Sequence, residues 1–204
     1  MGNTRIAGLI LAAGRSQRMG PINKLLIDIN GVPLIVRVVD AVRHSSAAPV
    51  VVVVGHDKER VEETLDVYPV SIVHNHEYHL GLSSSLRRGI VALPHDIDGV
   101  LVCLGDMPRL TPDHIEQLIE AFDPHERNIC VPMFQGRRGH PVVWGRQYFG
   151  DLQTLTGDVG ARQLFTQYAS RVHYLEMADP GVLIDIDSPS ALRAAIRGVI
   201  SGCL

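Results

Sequence analysis

The residue types best suited to chemistry fall in three short stretches. The first, Leu11-Ala12-Ala13-Gly14-Arg15-Ser16-Gln17-Arg18-Met19-Gly20-Pro21-Ile22-Asn23-Lys24, begins with small residues and becomes basic. Small residues let backbone N–H groups approach a ligand closely and form an anion-binding concavity. Arg15, Arg18 and Lys24 add positive charge. A triphosphate suits such a loop, with backbone donors for its oxygens and Arg and Lys for its charge. The spacing is neither GxxxxGK[ST], because Pro21 follows Gly20, nor GxGxxG. A solvated turn with surface charges competes with this reading. The second stretch, Gly105-Asp106-Met107-Pro108, holds a carboxylate between Gly and Pro. That arrangement suits Mg²⁺, and equally the start of a turn. The third, Asp185-Ile186-Asp187-Ser188-Pro189, points two carboxylates the same way if it is extended. Taken together, the three suggest metal-assisted transfer of a phosphate-linked group.

Positioning these stretches requires a sheet. Ile6–Leu11, Val50–Val54, Ser71–Val73, Val100–Leu104 and Ile129–Met133 are short, rich in Val, Ile and Leu, and lack polar alternation. They read as strands buried on both faces of a mostly parallel sheet. Helical spacing lies between them. Leu34, Ile35, Val38, Val39 and Val42 form one stripe, and Ile115, Leu118, Ile119 and Phe122 another. Leu192, Ala195, Ile196, Val199 and Ile200 form a third at the C-terminal end. Thr111 and Ser188 stand at N-cap positions, with Pro112 and Pro189 at the first helical position. The βαβα order predicts an open α/β sheet with helices on both sides. Ligands of such sheets bind outside the carboxyl ends of the strands, where the first two chemical stretches fall. A further apolar run, Val182–Ile184, precedes the third and reads as another strand end.

The 204-residue length predicts one domain spanning 1–204. Within it, 134–172 is glycine-rich and reads as an excursion from the sheet that carries loops. Net charge of −3 and 5% aromatics argue against a nucleic-acid partner. Cys103, Cys130 and Cys203 are too few for a disulfide scaffold, so the chain reads as reduced and cytoplasmic. No apolar run is long enough for a membrane span, and no membrane partner is expected. His74, His76 and His79 have suggestive spacing but nothing that places them on one helix face, so no zinc site is expected there. Ser83-Ser84-Ser85 lacks a GxSxG elbow and reads as hydroxyl donors and N-cap material ahead of a helix.

Several motifs together resemble a known family. Leu11-Ala12-Ala13-Gly14-x-Ser16-x-Arg18-Met19-Gly20-x-x-x-Lys24 is similar to the nucleotide-binding signature of the MobA-like nucleotidyltransferases. Five further motifs follow in order: Asn75-His76-Glu77-Tyr78-x-x-Gly81-Leu82-x-x-Ser85-Leu86, Gly105-Asp106-Met107-Pro108, Gly139-His140-Pro141-Val142, Gly157-Asp158-x-Gly160-Ala161-Arg162 and Asp185-Ile186-Asp187-Ser188-Pro189. With these, the chain looks most like the molybdenum cofactor cytidylyltransferases.

The resemblance implies a Rossmann-like three-layer α/β sandwich with a mostly parallel, mixed sheet of the nucleotide-diphospho-sugar transferase type. It implies transfer of a nucleotide from CTP to the terminal phosphate of the molybdopterin cofactor, with release of pyrophosphate. Carried over by position, Leu11, Ala12, Ala13, Gly14, Arg15 and Ser16 cradle the nucleotide, together with Gly81 and Ser85. Arg18 and Lys24 meet the triphosphate, and Asp106 and Asp187 hold Mg²⁺. His140 and Arg162 are assigned to the acceptor, and Gly157 and Gly160 to backbone shape. Guanylyltransferases of the group read Leu-Ala-Gly-Gly where this chain has Ala13, and an extra methyl there narrows a base pocket toward a pyrimidine. GTP or another NTP, a sugar phosphate acceptor, and a non-catalytic module delivering cofactor to a molybdoenzyme or through an insertion protein are the alternatives.

Overall fold

The computed structural model describes residues 4–20, 22–158, 161–193 and 195. Its strands are β1 (Ile6–Ala12), β2 (Asp28–Ile29), β3 (Val32–Pro33), β4 (Val50–Val54), β5 (Ser71–His74), β6 (Gly99–Leu104), β7 (Ile129–Phe134), β8 (Arg137–Arg138), β9 (Val142–Gly145) and β10 (Val172–Glu176). Its α-helices are α1 (Leu34–Arg43), α2 (Lys58–Leu65), α3 (Leu82–Val91), α4 (Pro112–Ala121), α5 (Phe149–Thr154) and α6 (Arg162–Gln167). The main sheet runs β10-β7-β9-β6-β1-β4-β5, with β8 beside β7. Along that order β9 is antiparallel to both neighbours and every other pair is parallel. This is the mostly parallel, Rossmann-like α/β sheet expected.

The valine run shows why the strands lack alternation. Val50, Val52 and Val54 enter one core, and Val51 and Val53 enter the other. Strand β1 divides likewise, with Ile6 and Ile10 on one side and Ala7, Leu9 and Leu11 on the other. Helices α1, α2 and α4 cover the first face through Val38, Val61 and Ile115. Helices α3, α5 and α6 cover the second through Leu86, Leu152 and Leu164. Each fully buried aliphatic side chain contributes about 1.5–3 kcal/mol, so a strand with two dry faces outweighs its indifferent local pattern. Both anticipated caps form. Thr111 Oγ1 accepts from His114 N at 3.3 Å, and Ser188 Oγ accepts from Ala191 N at 3.2 Å. Among the described residues no helix is long and apolar enough to cross a membrane.

Four expectations are corrected. Strand β5 is an edge strand with an exposed first residue and the rest half-buried, because only β4 pairs with it. The apolar run 182–184 is no strand. Pro180–Leu183 forms a 3-10 turn, and 184–187 carries no regular structure. The serines lie inside the first turns of α3, whose N-cap is Gly81, at φ 97°. The 134–172 segment is not simply an excursion: β9 fills the gap between β6 and β7, and Val142, Val143 and Trp144 are at most 2% exposed. Glycines on either side hide a strand only four residues long. Ile196, Val199, Ile200, Gly160 and Cys203 lie outside the described residues.

Trp144 ties β9 to the helices above it. Its ring stacks on Phe165 at 5.2 Å and meets Tyr148 edge-on at 6.1 Å. Trp144→Ala is therefore expected to lower unfolding free energy by about 3–5 kcal/mol in urea titrations. A loss below 1 kcal/mol would mean that β9 is not a core strand.

Candidate active site

The carboxyl ends of β1 and β6 lie side by side, since Leu11 pairs with Leu104. Gly105 N then donates to Leu11 O at 3.0 Å. A cavity of about 450 Å³ opens there. The first loop, the β6 exit, the start of α3 and the 185–187 segment all line it.

The first loop is folded on itself. Ser16 takes a left-handed conformation at φ 51°, and its hydroxyl accepts from Lys24 N at 3.1 Å. Asn23 Oδ1 accepts from Leu25 N at 3.1 Å and starts a short 3-10 turn at Lys24. These bonds hold Lys24 where its side chain points into the cavity. Its ammonium donates to Asp106 Oδ2, and to Asp187 Oδ1 at 2.8 Å. Arg18 reaches the other oxygen of Asp187 at 3.0 Å.

The 185–187 segment is held to the end of β6 by one backbone bond, Ile186 N to Asp106 O at 3.0 Å. The Ile186 side chain is fully buried with Ile29, Leu34 and Ala195. Asp185 and Asp187 flank that anchor. One oxygen each from Asp106, Asp185 and Asp187 lies within 4.8 Å of the others.

Three carboxylates this close repel. Burial raises the Asp185 pKa above the ordinary carboxylate value, and the charges of Asp106 and Asp187 raise it further. Asp187 moves the other way, lowered first by its hydrogen bond from Lys24. Burial alone would lower the Lys24 pKa, but the two paired carboxylates outweigh it, and the value is raised. Oδ1 of Asp106 is buried with no hydrogen-bond partner. An oxygen-only donor set with one uncommitted buried oxygen fits a hard divalent cation such as Mg²⁺.

Another part of the cavity wall comes from α3 and the glycine before it. Gly81 has no room for a side chain, because a Cβ there would come within 2.4 Å of Asp158 Oδ1 and 2.8 Å of the Gly157 carbonyl carbon. Asp158 Oδ1 accepts from Leu82 N at 3.0 Å, and Gly157 O from Ser83 N at 3.2 Å. Gly157 itself sits at φ 70°, as its shape role requires.

Leu11, Ala12, Ala13, Gly14, Arg15, Ser16, Arg18, Lys24, Gly81, Ser85, Asp106 and Asp187 all line this one cavity. His140 and Arg162 do not. His140 N donates to Val182 O at 2.9 Å, and its Nδ1 is buried without a partner, while Arg162 is exposed. The Ala13 methyl belongs to the core cluster and abuts Gly55, whose Cβ would come within 2.8 Å of it. The methyl therefore adds less to the cavity wall than its sequence position suggests. Asp158 and Tyr78 also line the cavity, and sequence reasoning gave them no site role. Asp185 was visible as one of a flanking pair but was not assigned as a ligand. For Asp158, the left-handed glycine before it is the signal that a tight turn presents this carboxylate.

Comparison with known proteins bears on what this arrangement does. A family model described as MobA-like NTP transferase domain matches residues 8–172. A bifunctional protein GlmU from Leifsonia xyli is 35% identical over 124 residues, covering 59% of this chain but only 26% of that protein. The chain thus spans about a quarter of the length of that relative. A nicotine blue oxidoreductase from Paenarthrobacter nicotinovorans is 28% identical over 90% of this chain and 92% of its own. A probable molybdenum cofactor guanylyltransferase from Pyrococcus horikoshii is 32% identical over 68% of this chain and 67% of its own. Among solved structures, a nucleotidyl transferase from Methanothermobacter thermautotroptrophicus superimposes with a TM-score of 0.82 at 28% identity, covering 98% and 100% of the two chains.

Two outcomes follow from the geometry. Lys24→Met removes the ammonium that bridges Asp106 and Asp187 and leaves only Arg18 on Asp187, at a cost on the order of 3 kcal/mol for the largely buried Lys24–Asp106 pair. Thermal melts in EDTA should show that loss, and millimolar Mg²⁺ should recover most of it while stabilising the parent protein less. Equal Mg²⁺ shifts in both proteins would show that the ion does not take the place of the ammonium. The second outcome concerns His140. Burial, with help from the Arg162 charge, lowers its pKa from 6.5 to about 4. The unfolded chain therefore takes up this proton first as pH falls, and stability declines between about pH 6.5 and about pH 4. His140→Asn should flatten that part of the stability profile in urea melts, and an unchanged slope would place the ring in water.

Proposed function

The chain belongs to the MobA-like NTP transferase family, and from that premise we propose that it transfers CMP from CTP to the terminal phosphate of the molybdenum–molybdopterin cofactor, releasing pyrophosphate. The observation that carries this reading is the convergence of Lys24, Arg18, Asp106, Asp185 and Asp187 on one cavity beside a small-residue loop. Cations for a leaving pyrophosphate and carboxylates for a divalent ion stand together there. The molybdopterin acceptor is supported by the Gly-His-Pro and Gly-Asp-x-Gly-Ala-Arg motifs and by the Pyrococcus relative. That relative is named for guanylyl transfer, so GTP is the competing nucleotide.

The chain's own residues supply binding and charge. The Leu11–Gly14 backbone faces the nucleotide, and Gly14 leaves open space, with nothing within 4 Å of where a Cβ would stand. Asp106, Asp185 and Asp187 would hold Mg²⁺, which when bound offsets negative charge on the triphosphate. Lys24 and Arg18, which line the same cavity, would meet the β- and γ-phosphates. The acceptor phosphate oxygen forms a bond to the α-phosphorus as the bond to the bridging α–β oxygen breaks, and that oxygen leaves with pyrophosphate. No covalent enzyme intermediate is needed. Positioning and charge neutralisation do most of the work. His140 and Arg162 stand outside the cavity wall and carry no step in this reading.

Pyrophosphate release is the deciding measurement, made with CTP, GTP and UTP against the molybdopterin cofactor. The value of kcat/KM should be highest for CTP. Lys24→Ala should lower it by about 10²-fold or more, the scale for removing one group that stabilises developing charge, and Arg18→Ala should lower it less. Equal values for CTP and GTP would sink the cytidylyl assignment alone. Nucleotide binding without any pyrophosphate would instead favour a delivery module.

A further inference from the structure

Asn75 is buried at 4% exposure and does not line the cavity, yet it touches a residue that does. Its amide has one orientation, because Glu77 N donates to Oδ1 at 2.9 Å. The amide nitrogen must then face the α3 serines. It donates to Ser84 Oγ at 2.9 Å and to Ser85 Oγ at 3.0 Å, which uses both of its hydrogens. Ser84 passes its own proton to the carbonyls of Gly81, at 2.8 Å, and Glu77, at 2.9 Å. Ser85 differs. Its oxygen accepts from Asn75, and no described residue accepts its proton. Ser85 lines the cavity from α3.

A hydroxyl has one proton and two lone pairs, so with Asn75 on one lone pair Ser85 keeps the other lone pair and an unpartnered proton for its open side. We propose that Asn75 is a positioning residue that turns the unpartnered Ser85 proton toward the base, so that a ring acceptor satisfies it and a ring donor does not. Cytosine presents an unprotonated N3 there, whereas uracil presents N3–H. Against uracil the remaining Ser85 lone pair takes the N3–H but the serine proton stays unpaired in a dry pocket, and an unpaired buried donor is how a polar site rejects a near-isostere. The inference rests on the CTP reading above and extends it to discrimination between two pyrimidines of equal size.

The test is the ratio of CTP to UTP affinity, by isothermal titration calorimetry of the full chain with Mg²⁺. The triphosphates are identical, so general damage to the fold or to the phosphate loop weakens both ligands alike and leaves the ratio unchanged. The parent protein should favour CTP by tenfold or more. Ser85→Ala should bring the ratio toward one. Asn75→Asp keeps the shape and the acceptor for Glu77 N but replaces the donor with an acceptor. The Ser85 proton should then turn to the new carboxylate, expose an oxygen lone pair to the base, and move the ratio at least tenfold toward UTP. A parent that favours CTP, with both variants keeping its ratio, overturns the role of Asn75 and leaves the CTP reading standing. Equal parental affinity for CTP and UTP also overturns it. A parent that binds GTP and neither pyrimidine overturns the CTP reading and this inference with it.

Discussion

The hydrogen bond from Ile186 N to the Asp106 carbonyl joins two parts of the chain that lie far apart in the sequence. It docks an irregular segment on the end of a central strand, and the buried Ile186 side chain locks it there. Asp185 and Asp187 flank the anchor, so both carboxylates are brought to Asp106 together. The Coulomb cost of that meeting shapes everything nearby. It pulls Lys24 inward to bridge Asp106 and Asp187, and it recruits Arg18 to the far oxygen of Asp187. The first loop is therefore drawn over the strand ends by charge as much as by its own hydrogen bonds.

The same arrangement explains why fold and activity are separate questions in this family. An oxidoreductase and a guanylyltransferase are both among the relatives, and both align with most of the chain. A sheet with helices on two faces supplies only a row of strand ends, and the residues standing on those ends decide the chemistry. Here they are an ammonium, two guanidiniums and four carboxylates around open space, which is a set suited to phosphate chemistry.

The framework was readable wherever burial acts on both faces of a strand. Five consecutive valines have no other stable home than a doubly covered strand, and the stripes of α1 and α4 leave little choice. That the basic first loop and Asp106 line one cavity was legible because residue type and position past a strand suffice to place them. Elsewhere the sequence lacked the deciding quantity. Strand β9 is short and bracketed by glycines, and its place between β6 and β7 depends on pairing partners distant in the chain. The stretch before Asp185 has an apolar composition that a strand or a 3-10 turn accommodates equally. His140 has a polar type that suggests contact with ligand, but only three-dimensional packing reveals that its free nitrogen is buried.

The cap on α3 has a consequence for how a phosphate can be held. A helix begins with unpaired N–H groups and a partial positive charge, and such an end ordinarily draws phosphate. In this chain that attraction is already spent: Asp158 and the Gly157 carbonyl take the N–H groups of Leu82 and Ser83, and the Asp158 carboxylate faces the cavity. The wall at α3 therefore offers a phosphate a carboxylate in place of those two N–H groups, and the cations that line the cavity are those of the first loop, where Asp106 and Asp187 already pair with Lys24 and Arg18. A phosphate entering the cavity thus competes with carboxylates for its cations instead of resting on a helix end. Occupancy is an exchange of ion-pair partners, and its strength depends on what the displaced carboxylates can bind in return.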